Sequence, residues 1–335
     1  MDRALLHTLS PIAAIATASL LMASAAIAQT HSTASGPAYP HKPIRVVLPF
    51  PPGGGTDSLA RVILPKMSQA LGQSLVIDNR PGAGGTLAAE IVARSAPDGY
   101  TLFLGSSTGV TAAPSLYKLA YDPIRDFAPI TQFATASFIL VVHPALQAAT
   151  VSELIALAKA KPGSLRYASG GIGSPLHLAA ELFKSRSGVD IVHVPYKGGA
   201  AAARSVLAGE AHLIFGSVAA SLPHVKAGRL RALAVTGLAR VPLVPELPTM
   251  AESGFPGFNV QAWNSLEAPA GTPRNIIRQL HGEMIKVLRM PDVVAPMSRI
   301  GYAPAETTPE QYAKIKRTES AMWAKLIKDA NIRPE

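Results

Sequence analysis

The stretch that most constrains the fold begins at Arg45 and reads RVVLPFPPGGGTDSLAR. Its short apolar run at residues 46–48 predicts a buried strand. Prolines within residues 49–52 end that strand, because proline has no N–H to donate to a sheet. The glycines at residues 53–55 leave the backbone free to adopt a positive φ and open to a close-lying ligand. The stretch therefore predicts a strand that runs into a glycine loop.

A helix is predicted directly after this loop, with Thr56 or Asp57 as its N-terminal cap. Unpaired N–H groups and the positive end of the helix dipole would then meet at the loop, which is the geometry of an anion-binding site. An ordinary tight connection between a strand and a capped helix has the same pattern, so both interpretations stay open. Asp57 is accordingly a cap or, in addition, a contact for an amine or hydroxyl of a ligand.

The same order of strand, glycine loop and helix recurs along the chain. Further glycine loops follow predicted strands at residues 79–86, 105–109, 169–174 and 195–199. Short loops between alternating strands and helices predict an α/β fold with parallel sheets covered by helices. Two such series are joined by segments at residues 127–143 and 256–268 that are predicted to be extended.

Two parallel-sheet domains that are linked twice leave a cleft between them, with the glycine loops of both domains around it. The predicted boundaries are residues 40–138 plus 256–335 for domain 1 and residues 139–255 for domain 2. The two extended segments would act as hinges, so that the cleft closes on its ligand.

The N-terminus carries the features of an export signal. Residues 1–28 contain a run of Ala, Ile, Leu, Met and Ser and end in Ala26-Ile27-Ala28, a small-x-small cleavage pattern. The apolar run is short for a membrane span, and no cluster of Lys or Arg follows it. We therefore expect a signal peptide at residues 1–28, a flexible leader at residues 29–39 and a periplasmic protein without disulfides, because the chain has no cysteine.

Composition and charge limit the class of ligand. Hydrophobic residues make up 48% of the 335-residue chain, which excludes a disordered protein. The net charge is +10, yet Lys and Arg are scattered singly, so we predict no nucleic-acid binding. The diffuse positive field either attracts small anions or only keeps the protein soluble. Complete G-x-G-x-x-G, G-K-[ST] and H-E-x-x-H motifs are absent from the sequence, so we predict no cofactor and no metal ion.

The glycine loop at residues 105–109 reads GSSTG and matches G-x-S-x-G, the nucleophile elbow of serine hydrolases. It also follows a predicted strand, as that elbow requires. A match of five residues in a Gly/Ser-rich loop arises readily by chance. We therefore favour a loop in which Ser106, Ser107 and Thr108 contact a ligand, and an exported hydrolase that uses Ser107 is the alternative.

A second candidate anion site lies at residues 169–174, where a strand runs into glycines and then into a serine at a helix start. His177 lies just inside that helix and could reach an acidic ligand. A single His at a helix start is more often a satisfied surface or core residue, so both roles stay open.

Taken together and in order, the motifs resemble the Bug family, the extracytoplasmic solute receptors of tripartite tricarboxylate transporters. The matching segments are PFPPGGGTD with AR (49–61), LGQ (71–73), NRPGAGG (79–85), PDGYTL (97–102), YDPxxDF (121–127), YASGGxGSxxH (167–177), HVPYKG (193–198), LRALAVT (230–236), APAGTP (268–273) and ExxxW (319–323). Each motif alone is weak, but their joint occurrence from about residue 40 to the C-terminus is specific.

The resemblance implies a type II periplasmic-binding-protein fold, in which two α/β domains are joined by two extended hinge segments around a ligand cleft. It also implies capture of a small organic carboxylate, such as a dicarboxylate, tricarboxylate, acidic amino acid or aromatic acid, without catalysis. The implied partners are the membrane subunits of a transporter, and we expect a monomer. A receptor that presents its ligand to a membrane sensor is the alternative.

The predicted ligand-binding residues lie in four loops. They are Phe50, Pro52, Gly53, Gly54, Gly55, Thr56 and Asp57; Ser106, Ser107 and Thr108; Ser169, Gly171, Gly173, Ser174 and His177; and Gly216 and Ser217. The resemblance implies that the first and third loops hold a carboxylate through backbone groups and ordered waters, while the second and fourth tune specificity. No catalytic residue is predicted.

Overall fold

The structure of the protein, a computed structural model, describes residues 38–82 and 85–333. The chain from Lys42 onward belongs to one compact unit, which holds all the strands and helices below. The predicted signal peptide, residues 1–28, and most of the predicted leader, residues 29–39, lie outside the described residues.

Strands and helices alternate along the chain. The strands are β1 (Ile44–Leu48), β2 (Leu75–Asn79), β3 (Thr101–Ser106), β4 (Phe127–Val142), β5 (Arg166–Ser169), β6 (Val192–Pro195), β7 (Leu213–Ser217), β8 (Arg231–Val235), β9 (Gln261–Pro269) and β10 (Ala303–Pro304). The helices are α1 (Gly55–Leu71), α2 (Thr86–Ala93), α3 (Ser107–Thr111), α4 (Ala113–Leu116), α5 (Val151–Ala160), α6 (Pro175–Ser187), α7 (Gly199–Leu207), α8 (Val218–Lys226), α9 (Arg274–Leu288), α10 (Pro291–Arg299) and α11 (Pro309–Asp329). Within the described part of the chain, every helix is too short or too polar to cross a membrane.

The strands form a ten-stranded sheet whose main path runs β2-β1-β3-β9-β4-β7-β5-β6, with β8 and β10 also paired to β4. β1 pairs in parallel with β2 and β3, and β5 pairs in parallel with β6 and β7. The pairs that involve β4 or β9 are antiparallel. Two groups of parallel strands are therefore joined through an antiparallel centre.

Strand β4 passes from one parallel group to the other. Its residues 127–137 pair with β9, and its residues 138–142 pair with β7 and, from Ile139, with β8. This 16-residue strand confirms the extended segment predicted at residues 127–143. The change of partner lies next to the predicted domain boundary, and the division into two domains stays a prediction.

The C-terminal helix α11 contributes to two hydrophobic cores. Tyr312, near its start, packs against Trp263 in the core beside β1 and β3, with ring centroids 5.6 Å apart. Trp323, near its end, belongs to the core beside β5 and β7, which also contains Phe215. One helix therefore completes the cores on both sides of the antiparallel centre.

The predicted cap of α1 is wrong. The helix begins at Gly55 with Gly54 as its N-cap, so Thr56 and Asp57 lie in its first turn, and no side chain caps it. The carboxylate of Asp57 instead accepts a hydrogen bond from the Gly53 N–H at 3.0 Å. Asp57 therefore does not cap the helix. From the first turn of α1, it holds the glycine loop through the Gly53 N–H.

The glycine loop predicted at residues 105–109 is also wrong, because β3 continues through Ser106 and α3 begins at Ser107. Ser106 pairs with Asn264 on β9, a strand that is distant in the sequence. The sequence pattern also fails to predict α8 and α10, each of which contains an internal proline, Pro223 or Pro296.

A buried ion pair fastens α11 to β9. Glu267 accepts hydrogen bonds from the Tyr312 hydroxyl, at 2.6 Å, and from the Lys316 ammonium group. Glu267 and Lys316 are only 1% and 2% exposed. Such a pair adds little net stability compared with apolar packing, but removal of one partner leaves a buried charge without compensation.

We expect Lys316→Met to lower the free energy of unfolding by about 3–5 kcal/mol, because the Glu267 carboxylate then stays buried without its counter-ion. Lys325→Met is the control, since its ion pair with Asp329 is solvent-exposed and worth about 0–1 kcal/mol. Urea unfolding followed by circular dichroism measures both losses. Equal losses in the two variants would contradict the importance of the buried pair.

Glu319, one turn further along α11, accepts a hydrogen bond from the Trp263 indole N–H at 2.9 Å. Burial raises the pKa of Glu319 from 4.5 to about 7, and the bond from Trp263 offsets this only in part. Because the folded pKa lies above the unfolded one, the folded protein binds the extra proton between pH 4.5 and about 7. The associated stabilisation is complete below pH 4.5 and is lost as the pH rises through about 7.

We expect Glu319→Gln to unfold at the same temperature as the wild type near pH 4 and at a higher temperature at pH 8. The amide keeps an acceptor for the Trp263 N–H and carries no charge. Thermal unfolding at pH 4, 6 and 8 measures the difference. A difference that stays constant across this range would contradict a titrating Glu319.

Candidate ligand-binding cleft

A cleft of about 720 Å³ opens at the carboxyl ends of the two parallel groups of strands. It is lined by Phe50, Pro51, Gly54, Gly55, Thr56, Ser106, Ser107, Thr108, Ala113, Leu116, Tyr117, Gly170, Ile172, Gly173, Ser174, Pro175, Leu176, Gly199, Ala262, Trp263, Asn264 and Tyr302. None of these lining residues is Asp, Glu, Lys, Arg or His. A charged ligand in this cleft would therefore be contacted only by uncharged side chains and backbone groups of the lining.

Three of the longer helices begin at the cleft, with Gly55 of α1, Pro175 of α6 and Gly199 of α7 in the lining, and the short helices α3 and α4 also begin there. No side chain caps α1 or α7. The first N–H groups of a helix have no partner within the helix, and the helix dipole places positive partial charge at this end. The cleft is therefore electropositive without a charged side chain.

The first of these helix starts is shaped by Asp57, which is 1% exposed and does not line the cleft. Its carboxylate accepts hydrogen bonds from Arg61, at 2.8 Å, from the Gly53 N–H and from the Asn79 amide. The Arg61 guanidinium is the largest of the effects that lower the pKa of Asp57 to about 2. The Asn79 amide also donates to the Phe50 carbonyl at 2.9 Å, so this network sets the shape of residues 50–53.

The facing loop, residues 170–174, is closely packed and depends on its glycines. A Cβ atom at Gly170 would lie 3.1 Å from the Gly199 nitrogen, and one at Gly173 would lie 2.6 Å from Leu116. Gly173 also has a φ of +73°, in the region that disfavours other residues. Ser174 then caps α6, because its hydroxyl accepts from the His177 N–H.

Polar side chains line the floor of the cleft. The Ser106 hydroxyl is buried and has no hydrogen-bond partner among the described residues. Next to it, the Asn264 amide donates to Thr56 Oγ1 at 3.3 Å and to the Gly105 carbonyl at 3.1 Å. A Cβ atom at Gly55 would lie 3.4 Å from the Tyr302 hydroxyl, which places Tyr302 over the start of α1.

The structure brings part of the predicted site together. The predicted residues that line the cleft are Phe50, Gly54, Gly55, Thr56, Ser106, Ser107, Thr108, Gly173 and Ser174. Those that lie outside its lining are Pro52, Gly53, Asp57, Ser169, Gly171, His177, Gly216 and Ser217. Ligand contact by any of these residues stays a prediction.

Sequence reasoning misses several lining residues, among them Asn264, Trp263 and Tyr302. Asn264 is a polar residue inside a predicted extended segment, which is a weak signal that could have been followed. It reaches the cleft because β9 pairs beside Ser106 of β3. Tyr302 follows the unpredicted helix α10 and carries no local signal.

Residues 59–332 match the family described as the tripartite tricarboxylate transporter family receptor. The chain is 36% identical to protein BugT of Bordetella pertussis over 320 residues, which covers 94% of this chain and 96% of BugT.

Solved structures agree in fold. The structure of Rpa4515 of R. palustris with adipate is 38% identical, with a TM-score of 0.75, and the match covers 89% of this chain and 100% of that one. The structure of MatC (Rpa3494) from Rhodopseudomonas palustris with bound malate is 33% identical, with a TM-score of 0.71, over 86% of this chain and 100% of that one. These matches confirm the predicted α/β solute-binding fold, and the chain belongs to the tripartite tricarboxylate transporter family of receptors, as its resemblance to the Bug proteins predicted.

Proposed function

We propose that this protein is a periplasmic receptor that binds a small organic carboxylate and passes it to the membrane subunits of a tripartite tricarboxylate-type transporter. The observation that carries the proposal is the convergence of α1, α6 and α7 at a cleft lined by neutral residues. Backbone N–H groups and helix dipoles at such a point stabilise a carboxylate without a counter-ion. Two relatives of similar length are described with adipate and with malate, which supports a carboxylate as the ligand here.

A receptor without catalysis fits the hydroxyl groups of the cleft better than a hydrolase does. Ser107 begins α3 in a strand-to-helix setting, so the elbow motif has the required order of elements. The imidazoles that pack behind the cleft are engaged elsewhere, however. His177 Nδ1 accepts from the Gly173 N–H, and His193 Nε2 lies 2.6 Å from Ser169 Oγ. We therefore assign Ser107 to ligand contact.

Closure of two domains on the ligand is part of the proposal, with residues 40–138 plus 256–335 as one domain and residues 139–255 as the other. Buried Thr236 supports a hinge where the two chain segments cross. Its hydroxyl accepts from the Phe138 N–H at 2.9 Å and donates to the Val260 carbonyl at 2.6 Å. Bending of the two crossing segments around Thr236 would bring the two sides of the cleft together.

We expect a panel of adipate, malate, citrate, glutamate and benzoate to contain at least one ligand that raises the unfolding temperature. A ligand at 100 times its Kd adds about 2.7 kcal/mol to the free energy of unfolding. Neutral amides of the same acids serve as the control, since they lack the negative charge. Stabilisation by the amides and not by the acids would contradict an anion site.

We expect Ser106→Ala to weaken binding of the best carboxylate about tenfold without loss of stability. Its hydroxyl has no partner among the described residues, so its removal costs the protein no hydrogen bond, whereas a ligand loses one worth about 1.4 kcal/mol. Ser152→Ala is the control, because Ser152 is exposed on α5, lies outside the lining and is not a predicted ligand contact. Isothermal titration calorimetry and thermal unfolding measure the two effects. Unchanged affinity in Ser106→Ala would show that Ser106 does not touch the ligand.

A further inference from the structure

A pair of stacked imidazoles lies directly behind the loop at residues 170–174. The rings of His177 and His193 are 4.0 Å apart between centroids and tilted by only 11°. Tyr167 stacks on His193 at 4.8 Å. His177 is 4% exposed, and none of these three side chains lines the cleft.

The pair holds two backbone N–H groups of the loop. His177 Nδ1 accepts the Gly173 N–H at 3.0 Å. His193 Nε2 contacts Ser169 Oγ, which in turn accepts the Gly171 N–H at 3.1 Å. Since Gly171 and Gly173 both have positive φ, these bonds fix the loop at its two least regular residues.

No nearby carboxylate is hydrogen-bonded to the two histidines among the described residues. Glu181 lies one turn after His177 on α6, but its Oε1 accepts from the Tyr167 hydroxyl at 2.5 Å and from Lys184 at 2.8 Å. Burial is the main cause that lowers the pKa of His177 to about 4, with Lys184 adding to it and Glu181 opposing it. Burial, then the facing His177, and also Lys184 lower the pKa of His193 to about 4, again against Glu181.

We propose that His177 is a positioning residue for ligand binding, whose neutral imidazole holds the Gly173 N–H and so presents Ser174 and the start of α6 to the ligand. The claim that this loop contacts the ligand rests on the proposed function. The hydrogen bond between His177 and the Gly173 N–H does not depend on it. An imidazole with a proton on Nδ1 can no longer accept that N–H. Protonation of the pair therefore releases the loop, and binding is lost in acid although the lining of the cleft contains no Asp, Glu or His side chain.

The sign of the accompanying stability change follows from the lowered pKa values. Between pH 6.5 and about 4, the unfolded chain binds protons on both histidines and the folded protein does not. The stabilisation from the neutral pair is complete above pH 6.5 and is lost as the pH falls through about 4. Acid therefore weakens both the hydrogen bond that holds the loop and the stability of the folded protein.

Two substitutions separate the effect of the His177–Gly173 hydrogen bond from the effect of ring stacking. His177→Asn keeps an acceptor near the position of Nδ1 but neither stacks nor titrates. His177→Phe keeps a stacking ring but has no acceptor. The readout that needs no ligand is the Gly173 amide of the free protein, followed by NMR shift and hydrogen exchange from pH 3.5 to 7.

In the wild type, we expect a protected Gly173 amide whose shift titrates with a midpoint near pH 4. His177→Asn should keep the protection and lose the titration, and His177→Phe should lose the protection at every pH. Adipate binding at pH 7, measured by calorimetry, should be within about threefold of wild type in His177→Asn and at least tenfold weaker in His177→Phe, as loss of one hydrogen bond implies.

Equal Gly173 protection in the wild type and His177→Phe, or equal adipate affinity in both, would overturn the proposal. If His177→Phe does not fold, a Gly173 titration that persists in His177→Asn overturns it instead, and its disappearance supports it. Failure of adipate to bind the wild type counts against adipate as the ligand and not against the hold on Gly173, and the amide data then decide the role of His177 by themselves.

Discussion

The first N–H groups of a helix find no partner inside the helix, and they must be met by something else when they are buried. The cleft gathers several such helix starts, those of α1, α6 and α7 among them, and its remaining features follow from this requirement. Glycines lie beside the helix starts, where a Cβ at Gly170 would crowd the Gly199 nitrogen and one at Gly173 would press on Leu116 from a backbone of positive φ. The titratable side chains lie behind the loops, where Asp57 accepts the Gly53 N–H and His177 accepts the Gly173 N–H. Each of these side chains accepts one N–H of a loop on the side away from the cleft. The first N–H groups of the helices stay available to the cleft.

The antiparallel centre of the sheet gives both loops a common frame. β3 and β4 both pair with β9, and β4 then continues into the second parallel group. Because Ser106 on β3 and Asn264 on β9 are paired, the floor of the cleft belongs to the sheet itself. The helix starts on either side follow β1, β5 and β6, which belong to the two parallel groups. A floor that belongs to the sheet, with helix starts from both parallel groups around it, is the arrangement that the proposed closure requires.

Local chemistry explains which parts of this arrangement are visible in the sequence. The strand, the prolines and the glycines before α1 act within a few residues of each other, so their pattern predicts the strand, the loop and the helix that follows. The same holds for the loop before α6. The start of α1 at Gly55 is not visible, because it depends on the Asp57 carboxylate turning back to Gly53.

Pairing between distant segments explains most of the rest. Asn264 enters the site only through the register of β9 against β3, and Tyr302 only through its approach to Gly55. His177 illustrates the converse case, since its position beside a glycine loop suggests a ligand contact, which stays a prediction. The pattern gives no sign that His177 is buried, stacks on His193 of the next strand and accepts the Gly173 N–H.

Helix α11 has a consequence for how the chain reaches this structure. Tyr312 completes one core and Trp323 the other, while Lys316 supplies the counter-ion of Glu267 between them. A chain that has emerged only as far as β10 would leave both cores open and one carboxylate unpaired. The native packing of both cores is therefore complete only when α11 is in place.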